Sequence, residues 1–479
     1  MPVHAWILMD EVERELPARG KPQAAYGGNA MNARGRLYRT RSTIPTALIV
    51  LLCSSLSGLV GTGCKLSEPP HPESGVPTQA NTDGYNYEKY KDGVADFMYN
   101  QLWYFNFLDD RGTPDTSDDI AGVGAYGLAN PEHKMFQEGV VAGFGMIIRD
   151  PSQGKSFKIN TVSDPAVPGN LAASKTFEPN DPIQEPNPQL PCGDPDVSPG
   201  KCHLQTQDGY ITVFSPDHYH IVGDVAEGGK RITWNLHYKR RLAPPWLIWV
   251  KWPLPRTMKV FPAWINYPMQ MPDALVSGTF TVDDDTSDAT PAVIYELEDV
   301  KGYHDGFHSE FVFSIFDWDW LDYKQDNLSI HLLHPHAPQF SCKGGWETCC
   351  PGNLRVVYDD GSKVKVYDFY RGKKESEKQI WIEYFDRVPV PEHGVEYPTK
   401  ETITAKDAEG NKLELHWDLL RQHYVYYDVP DPYDDNITFE IIAEFTGSFY
   451  EASSGTTVPI SGVGWADWSG PSFPETEEK

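Results

Sequence analysis

Hydrophobic and polar residues alternate over short stretches along most of this chain, and turn residues separate the stretches. A period of two places successive side chains on opposite faces of a strand. It predicts strands at Gln101–Leu108, Val140–Arg149, Tyr210–Phe214, Arg231–Tyr238, Val276–Val282, Phe311–Asp319, Leu354–Tyr358, Lys363–Phe369, Ile380–Phe385, Lys412–Trp417 and Ile437–Phe445. Helical periodicity is scarce, so the pattern predicts an all-β chain of barrels or sandwiches. Aromatic content of 13% with 40 Gly and 40 Pro points the same way, toward strands and turns. The segment from Asp164 to Gly200, dense in Pro, Asn and Asp, reads as a long loop within the first barrel.

The N-terminal part has a different pattern. Arg34, Arg36, Arg39 and Arg41 precede an apolar run from Ile44 to Val60 that ends at Gly61-Thr62-Gly63-Cys64. That is the layout of a bacterial lipoprotein signal, in which cleavage makes Cys64 the lipid-bearing N-terminus. The competing reading is an uncleaved anchor, for which the run is shorter than the ~20 residues of a span. Residues 64–90, rich in Pro, Ser, Thr and Asn, read as a flexible tether. The expected organisation is a leader at 1–63, this tether, an N-terminal domain at 91–272, a C-terminal domain at 273–470 and an acidic tail at 471–479. It places the protein on a bacterial envelope membrane, held by lipid on the periplasmic or outer surface.

Charge narrows the partners. The chain carries a formal −27, and residues 1–63 contribute seven Lys/Arg against four Asp/Glu, so the remainder of the chain is three charges more acidic still. Such a surface repels phosphate backbones and anionic headgroups, which argues against nucleic acid and leaves membrane attachment to the lipid. An exported compartment permits disulfides, and Cys192 and Cys202 bracket a Gly/Pro-rich loop that a bridge would close. Cys342 is expected to pair with Cys349 or Cys350, leaving one thiol over, and the spacing lacks the two short Cys pairs of a structural zinc site.

Candidate chemistry gathers at Gly302-Tyr303-His304-Asp305, shortly before Phe316-Asp317-Trp318-Asp319-Trp320. Asp305 is the candidate general acid: in apolar surroundings desolvation raises a carboxyl pKa, so the group keeps a proton near neutrality. Alternatively it satisfies turn amides after Gly302. His304 is a candidate relay or orienting group, although adjacent strand residues point to opposite faces, and a lone His is more often a surface or capping residue. His304, His308 and Glu310 share a parity, but strand positions four apart lie roughly 13 Å from each other, too far for one ion. His331, His334 and His336 flank Pro335 without an obvious carboxylate and read as an exposed turn; no metal site is expected.

Phe316, Trp318 and Trp320 share one strand face, where they either wall a flat apolar ligand and steady a cation or pack between two barrels. Trp103, Tyr104 and Trp465 either plug a barrel as core residues or contact ligand, and Tyr303 and His308 complete the expected ligand contacts. The acidic turn from Asp109 to Asp119 lacks the spacing of a calcium loop and reads as a solvated connection. A Gly-x-Ser-x-Gly elbow, a His-Glu-x-x-His pair and a phosphate-cradling Gly-rich loop are all absent from the sequence.

Several motifs recur in an order that resembles a known family. They are Asn100-Gln101-Leu102-Trp103-Tyr104-Phe105-Asn106, Leu236-His237-Tyr238 through Pro244-Pro245, Val276 to Val282, Gly302 to Asp305, Trp318-Asp319-Trp320-Leu321, Tyr397-Pro398 and Gly462-Val463-Gly464-Trp465. Together they are similar to the carotenoid 1,2-hydratase and AttH-like family of double lipocalin-like proteins. The resemblance implies two calycin barrels packed together and cofactor-free hydration or cyclisation of an apolar, isoprenoid-like molecule. Where the family continues Asp-His-x-Trp-Gly, this chain has Gly306-Phe307-His308-Ser309, and Gln101-Leu102 stands in place of Glu-Trp. Those departures leave a non-catalytic carrier or scaffold as the alternative. The catalytic expectation is that the second barrel encloses a dry hollow into which one carboxyl, that of Asp305, projects.

Overall fold

A computed structural model describes residues 83–87, 99–184 and 201–470, apart from 114, 117, 134–138, 151–154, 252–263, 288–289, 311–316, 337–351, 371–378, 391–394 and 431–434. The expected leader, Cys64, most of the expected tether, Phe316, His336's side chain and the acidic tail therefore lie outside what can be described. Cys202 is disulfide-bonded, and the remaining cysteines also lie outside.

The described residues form antiparallel strands in two sheets. The first sheet contains β1 (Tyr99–Asp109), β2 (Ile120–Ala129), β3 (Val140–Asp150), β4 (Lys155–Ser163), β5 (Leu171–Ala173), β6 (Cys202–Thr206), β7 (Gly209–Ser215), β8 (His218–Glu227), β9 (Lys230–Arg240), β10 (Trp246–Lys251), β11 (Trp264–Met269), β12 (Met271–Asp283) and β13 (Val293–Glu310). The second contains β14 (Asp317–Gln325), β15 (Leu328–His336), β16 (Asn353–Asp359), β17 (Val364–Tyr370), β18 (Ile380–Val390), β19 (Val395–Lys406), β20 (Lys412–Pro430), β21 (Asp435–Glu451) and β22 (Thr456–Gly470). Their orders are β4-β3-β2-β1-β13-β12-β9-β8-β7-β6-β5, with β10 and β11 paired beside β13, and β17-β16-β15-β14-β22-β21-β20-β19-β18. This is the all-β, double lipocalin-like architecture expected from the sequence: two curled antiparallel sheets, each around its own core. The sheets divide the chain between Glu310 and Asp317, whereas the expected domain boundary at 272/273 falls inside the first sheet, within β12. β13 pairs with β1 over ten residues, from Tyr99↔Glu310 to Leu108↔Lys301, and so closes the first sheet rather than opening the second.

Alternation explains the packing. On β1, Trp103, Phe105 and Phe107 point into the first core with Trp234, Tyr238 and Phe280. The second core is built in the same way from Leu321, Ile330, Phe439, Phe445 and their neighbours. A third apolar cluster draws on both sheets at once: Ala121, Val123 and Ala125 of β2 and Tyr303 of β13 meet Trp320, Ile442 and Trp465. The outward faces of the two sheets are thus apolar and buried against each other, at roughly 25 cal/mol for each Å² removed from water. Small residues on β2 allow the second sheet to approach closely.

Candidate functional site

β13 carries its odd and even residues to different places. Before the irregularity at Asp299 its odd residues Tyr295 and Leu297 enter the first core, and from Val300 onward the even positions do. There His304 is fully buried, stacks on Phe105 with ring centroids 3.8 Å apart, and bonds through Nδ1 to the Tyr104 carbonyl (2.9 Å) and through Nε2 to the Asp83 carboxylate (3.1 Å). The odd positions Tyr303 and Asp305 face the second sheet, and each is buried. Asp305 therefore projects between the sheets and not into the second barrel, which corrects the expected placement.

Two tyrosines hold the Asp305 carboxyl. The Tyr303 hydroxyl donates to Oδ2 at 2.5 Å, and the Tyr267 hydroxyl, from β11, donates to the same oxygen. Trp320 Nε1 donates in turn to the Tyr303 hydroxyl (3.2 Å), with the two rings edge to face at 4.9 Å. No hydrogen bond among the described residues engages Oδ1. Burial pushes the Asp305 pKa up to about 7, and the two tyrosine bonds, which favour the ionised form, temper that rise. Burial, followed by the Asp305 charge, pushes both tyrosine hydroxyls far above their usual range, so each keeps its proton and donates it to Asp305.

More carboxyls face Asp305 from the second sheet. Glu440 on β21 and Asp467 on β22 are directly opposed cross-strand partners, and Asp467 is also in register with Trp320. Tyr104, the register partner of Asp305 on β1, donates its hydroxyl to Glu440 Oε2 (3.1 Å). Trp318 Nε1 donates to Asp467 Oδ2 (3.1 Å), while Oδ1 of Asp467 is buried with no hydrogen-bond partner. Burial raises Glu440 to about 8; the Tyr104 bond and the Lys158 charge oppose the rise and the Asp305 charge adds to it. Asp467 is raised by burial and then by the charge of Glu440. The site thus gathers three proton-holding carboxyls where the sequence led us to expect one.

Of the expected site residues, Asp305, Tyr303, Tyr104, Trp318 and Trp320 come together here, and Trp465 packs into the same intersheet cluster. Trp103 does not: it lies in the first core, stacked on Phe177 at 6.1 Å and donating to the Asp83 carbonyl (2.6 Å). His308 is also on the other face of β13, bonded to Asn266 (3.0 Å) and Asn86 (3.4 Å). His331 and His334 are buried strand residues rather than an exposed turn; His331 pairs with Asp322 (2.9 Å) and His334 with Asp319 (3.1 Å). They point to opposite faces of β15, and among the described residues no three His, Cys, Asp or Glu side chains converge as metal ligands.

Tyr267, Glu440 and Asp467 were not foreseen. The available signal was an acid set inside an apolar strand, as in Phe439-Glu440-Ile441-Ile442 and Ala466-Asp467-Trp468.

Partly buried Leu102, Tyr104, Phe144, Tyr267 and Trp318 edge the intersheet cluster; of these, Tyr267 donates to Asp305, and Tyr104 and Trp318 donate to the facing carboxyls. Farther along β1 and β14, a pocket of about 510 Å³ is lined by Asp109, Arg241, Asp273, Lys301 and Lys324, a polar wall unsuited to an apolar guest.

No protein-family model and no curated protein matches the chain. Among solved structures, the chain is similar to a Nitrosomonas europaea protein provisionally described as an AttH, at 11% identity and a TM-score of 0.46 over 82% of this chain and 99% of that one. It is also similar to CghA solved with Sch210972 (11% identity, TM-score 0.43, 82% and 93% covered). A third similar structure is kievitone hydratase from Nectria haematococca (10% identity, TM-score 0.42, 82% and 97% covered). The first carries the family name that the sequence motifs suggested, and at these scores the likeness assigns no residue and no reaction.

Proposed function

We propose that the protein takes an apolar, isoprenoid- or polyene-like small molecule between its two sheets and that Asp305 protonates one of its double bonds. The observation that carries this reading is a buried carboxyl, raised to about 7, whose Oδ2 is fixed by two tyrosines and whose Oδ1 is left to carry a transferable proton. Trp318, Trp320 and Tyr104 surround the acid, and an aromatic face steadies a cation by roughly 0.5–2 kcal/mol. Capture by water gives hydration, and capture by a nucleophile within the substrate gives cyclisation; neither needs a metal or organic cofactor. The positions that favoured a carrier, Gln101, Gly306 and His308, lie on the opposite face of β1 and β13 from Asp305.

Mass spectrometry of lipids extracted from the purified protein supplies the compound, and turnover in D₂O supplies the test. Wild-type protein adds deuterium to the product, while Asp305→Asn binds equally well and turns over at least about 100-fold more slowly. Undiminished turnover in that variant sinks the acid role, and a wild-type protein that binds but never converts the compound is a carrier.

We also propose attachment to the bacterial envelope through a lipid on Cys64, on the strength of the leader's layout. Labelled palmitate should enter the full chain and be lost in Cys64→Ala; label retained by the variant overturns the assignment.

A further inference from the structure

A buried nucleophile stands outside the chemistry of Asp305. Lys324 on β14 has a side chain only 4% exposed, and it lines the pocket of about 510 Å³ with Asp109, Arg241, Asp273 and Lys301. Exposed Glu296, Glu298 and Asp326 also line that pocket, so it opens to solvent. An ammonium is strongly hydrated in water, and burial therefore acts against its charge. At Lys324 burial outweighs the carboxylates of Asp322 and Asp273, and the Arg241 charge works in the same direction as burial, so the amine is held below its usual range. Lys324 donates to Asp322, and its Nζ lies 5.5 Å from the centre of the Tyr303 ring. Asp322 keeps a second partner in His331, whose Nδ1 is 2.9 Å from Oδ1, so its charge does not depend on Lys324 alone. The other cations named in the wall are taken up by carboxylates: Lys301 pairs with Asp110 (2.7 Å) and Arg241 with Asp273 (2.8 Å). A second cavity of about 10 Å³, room for roughly one water, also touches Lys324 and Asp322.

We propose that Lys324 is a covalent binding site for a small polar aldehyde or ketone, which enters the pocket and forms an imine with Nζ. A desolvated lysine is the form of the side chain that reacts in this way. The amine lone pair forms a C–N bond to the carbonyl carbon as the C–O π electrons move to oxygen. Both hydrogens of the neutral amine then leave with that oxygen as water, with Asp322 carrying protons from nitrogen to oxygen. No oxidant or reductant takes part, and the small cavity beside Asp322 receives the water. The wall sets the class of guest, because its carboxylates, ammonium and guanidinium groups offer hydrogen bonds to hydroxyls and little to an alkyl chain. A short hydroxyaldehyde meets both requirements. Asp305 takes no part in this step.

Glyceraldehyde with sodium cyanoborohydride, which reduces an imine to a stable amine, tests the site in the full chain at pH 7, read by peptide mass mapping. Lys324 should be labelled at least about tenfold faster than any other lysine, and hexanal should show no such preference. Lys324→Met should lose the fast phase and leave slow labelling elsewhere as it was. Asp322→Asn should move the pH of half-maximal labelling downward, because a carboxylate that supports the ammonium is gone, and should slow the plateau rate; a purely structural ion pair would show neither change. Labelling of Lys324 in the wild-type protein no faster than that of surface lysines overturns the proposal, as does a fast phase that persists in Lys324→Met. Equally fast labelling by hexanal overturns the assignment of a polar guest.

Discussion

At Asp305 two effects oppose each other. Burial favours the neutral acid, and the hydroxyls of Tyr303 and Tyr267 favour the carboxylate, with burial ahead at a value of about 7. A carboxyl whose folded value lies above its unfolded one stabilises the fold fully below the unfolded pKa, and that contribution is lost as the pH rises through about 7. The proton for catalysis disappears over the same range, so activity should fall on the alkaline side. Tyr267→Phe removes a donor to the ionised form, worth about 1.5 kcal/mol or more for a bond to a charged group. The alkaline limb should then move up by about 1 pH unit. A pH–rate profile together with thermal unfolding across the same range checks both consequences, and a limb that moves downward means that Tyr267 does not support the carboxylate. His304 shows the converse case, since one step along β13 puts it in the first core, where it bonds Asp83 and stacks on Phe105.

Strands are legible where apolar and polar residues alternate, and less so where packing requires glycine. β2 escapes the pattern because Gly122-Val123-Gly124-Ala125 has little strand character. A Cβ at Gly124 would stand 2.8 Å from the Trp234 ring, and one at Gly223 on β8 would stand 1.9 Å from it. Glycine is therefore required by the aromatic it lies under, a cause that resides on β9 and leaves no trace in β2. β13 stands out in the sequence for its motif and not as an 18-residue strand, which is why the expected division of the chain comes too early. For the site, parity places Tyr303 with Asp305, and Trp318 with Trp320. Glu440 and Asp467 are hidden because an acid at alternate strand positions reads as solvent-facing until a second sheet is known to cover it. For Trp318 and Trp320 the intersheet packing, one of two readings open in the sequence, is what the fold shows.

The whole molecule depends on the two sheets keeping their registry, because Asp305 belongs to one and its facing carboxyls to the other. Apolar contact is non-directional and leaves sliding cheap. Arg241, just after β9, supplies direction. It grips Asp273 with two bonds of 2.8 Å and donates to the carbonyls of Asp326 (2.7 Å) and Gln325 (3.0 Å), at the end of β14 in the second sheet. Asp273 is fully buried, so removing the guanidinium strands its charge, at a cost of about 3 kcal/mol. Arg241→Met should lower the urea midpoint accordingly, and adding Asp273→Leu should recover most of that loss, since an apolar pair replaces a buried ionic one at little cost. The clamp has a second consequence that packing alone does not. In the recovered double variant the bonds to Gln325 and Asp326 are still missing, so activity should stay depressed although stability returns. A double variant that is both stable and fully active shows that the intersheet faces fix the registry by themselves.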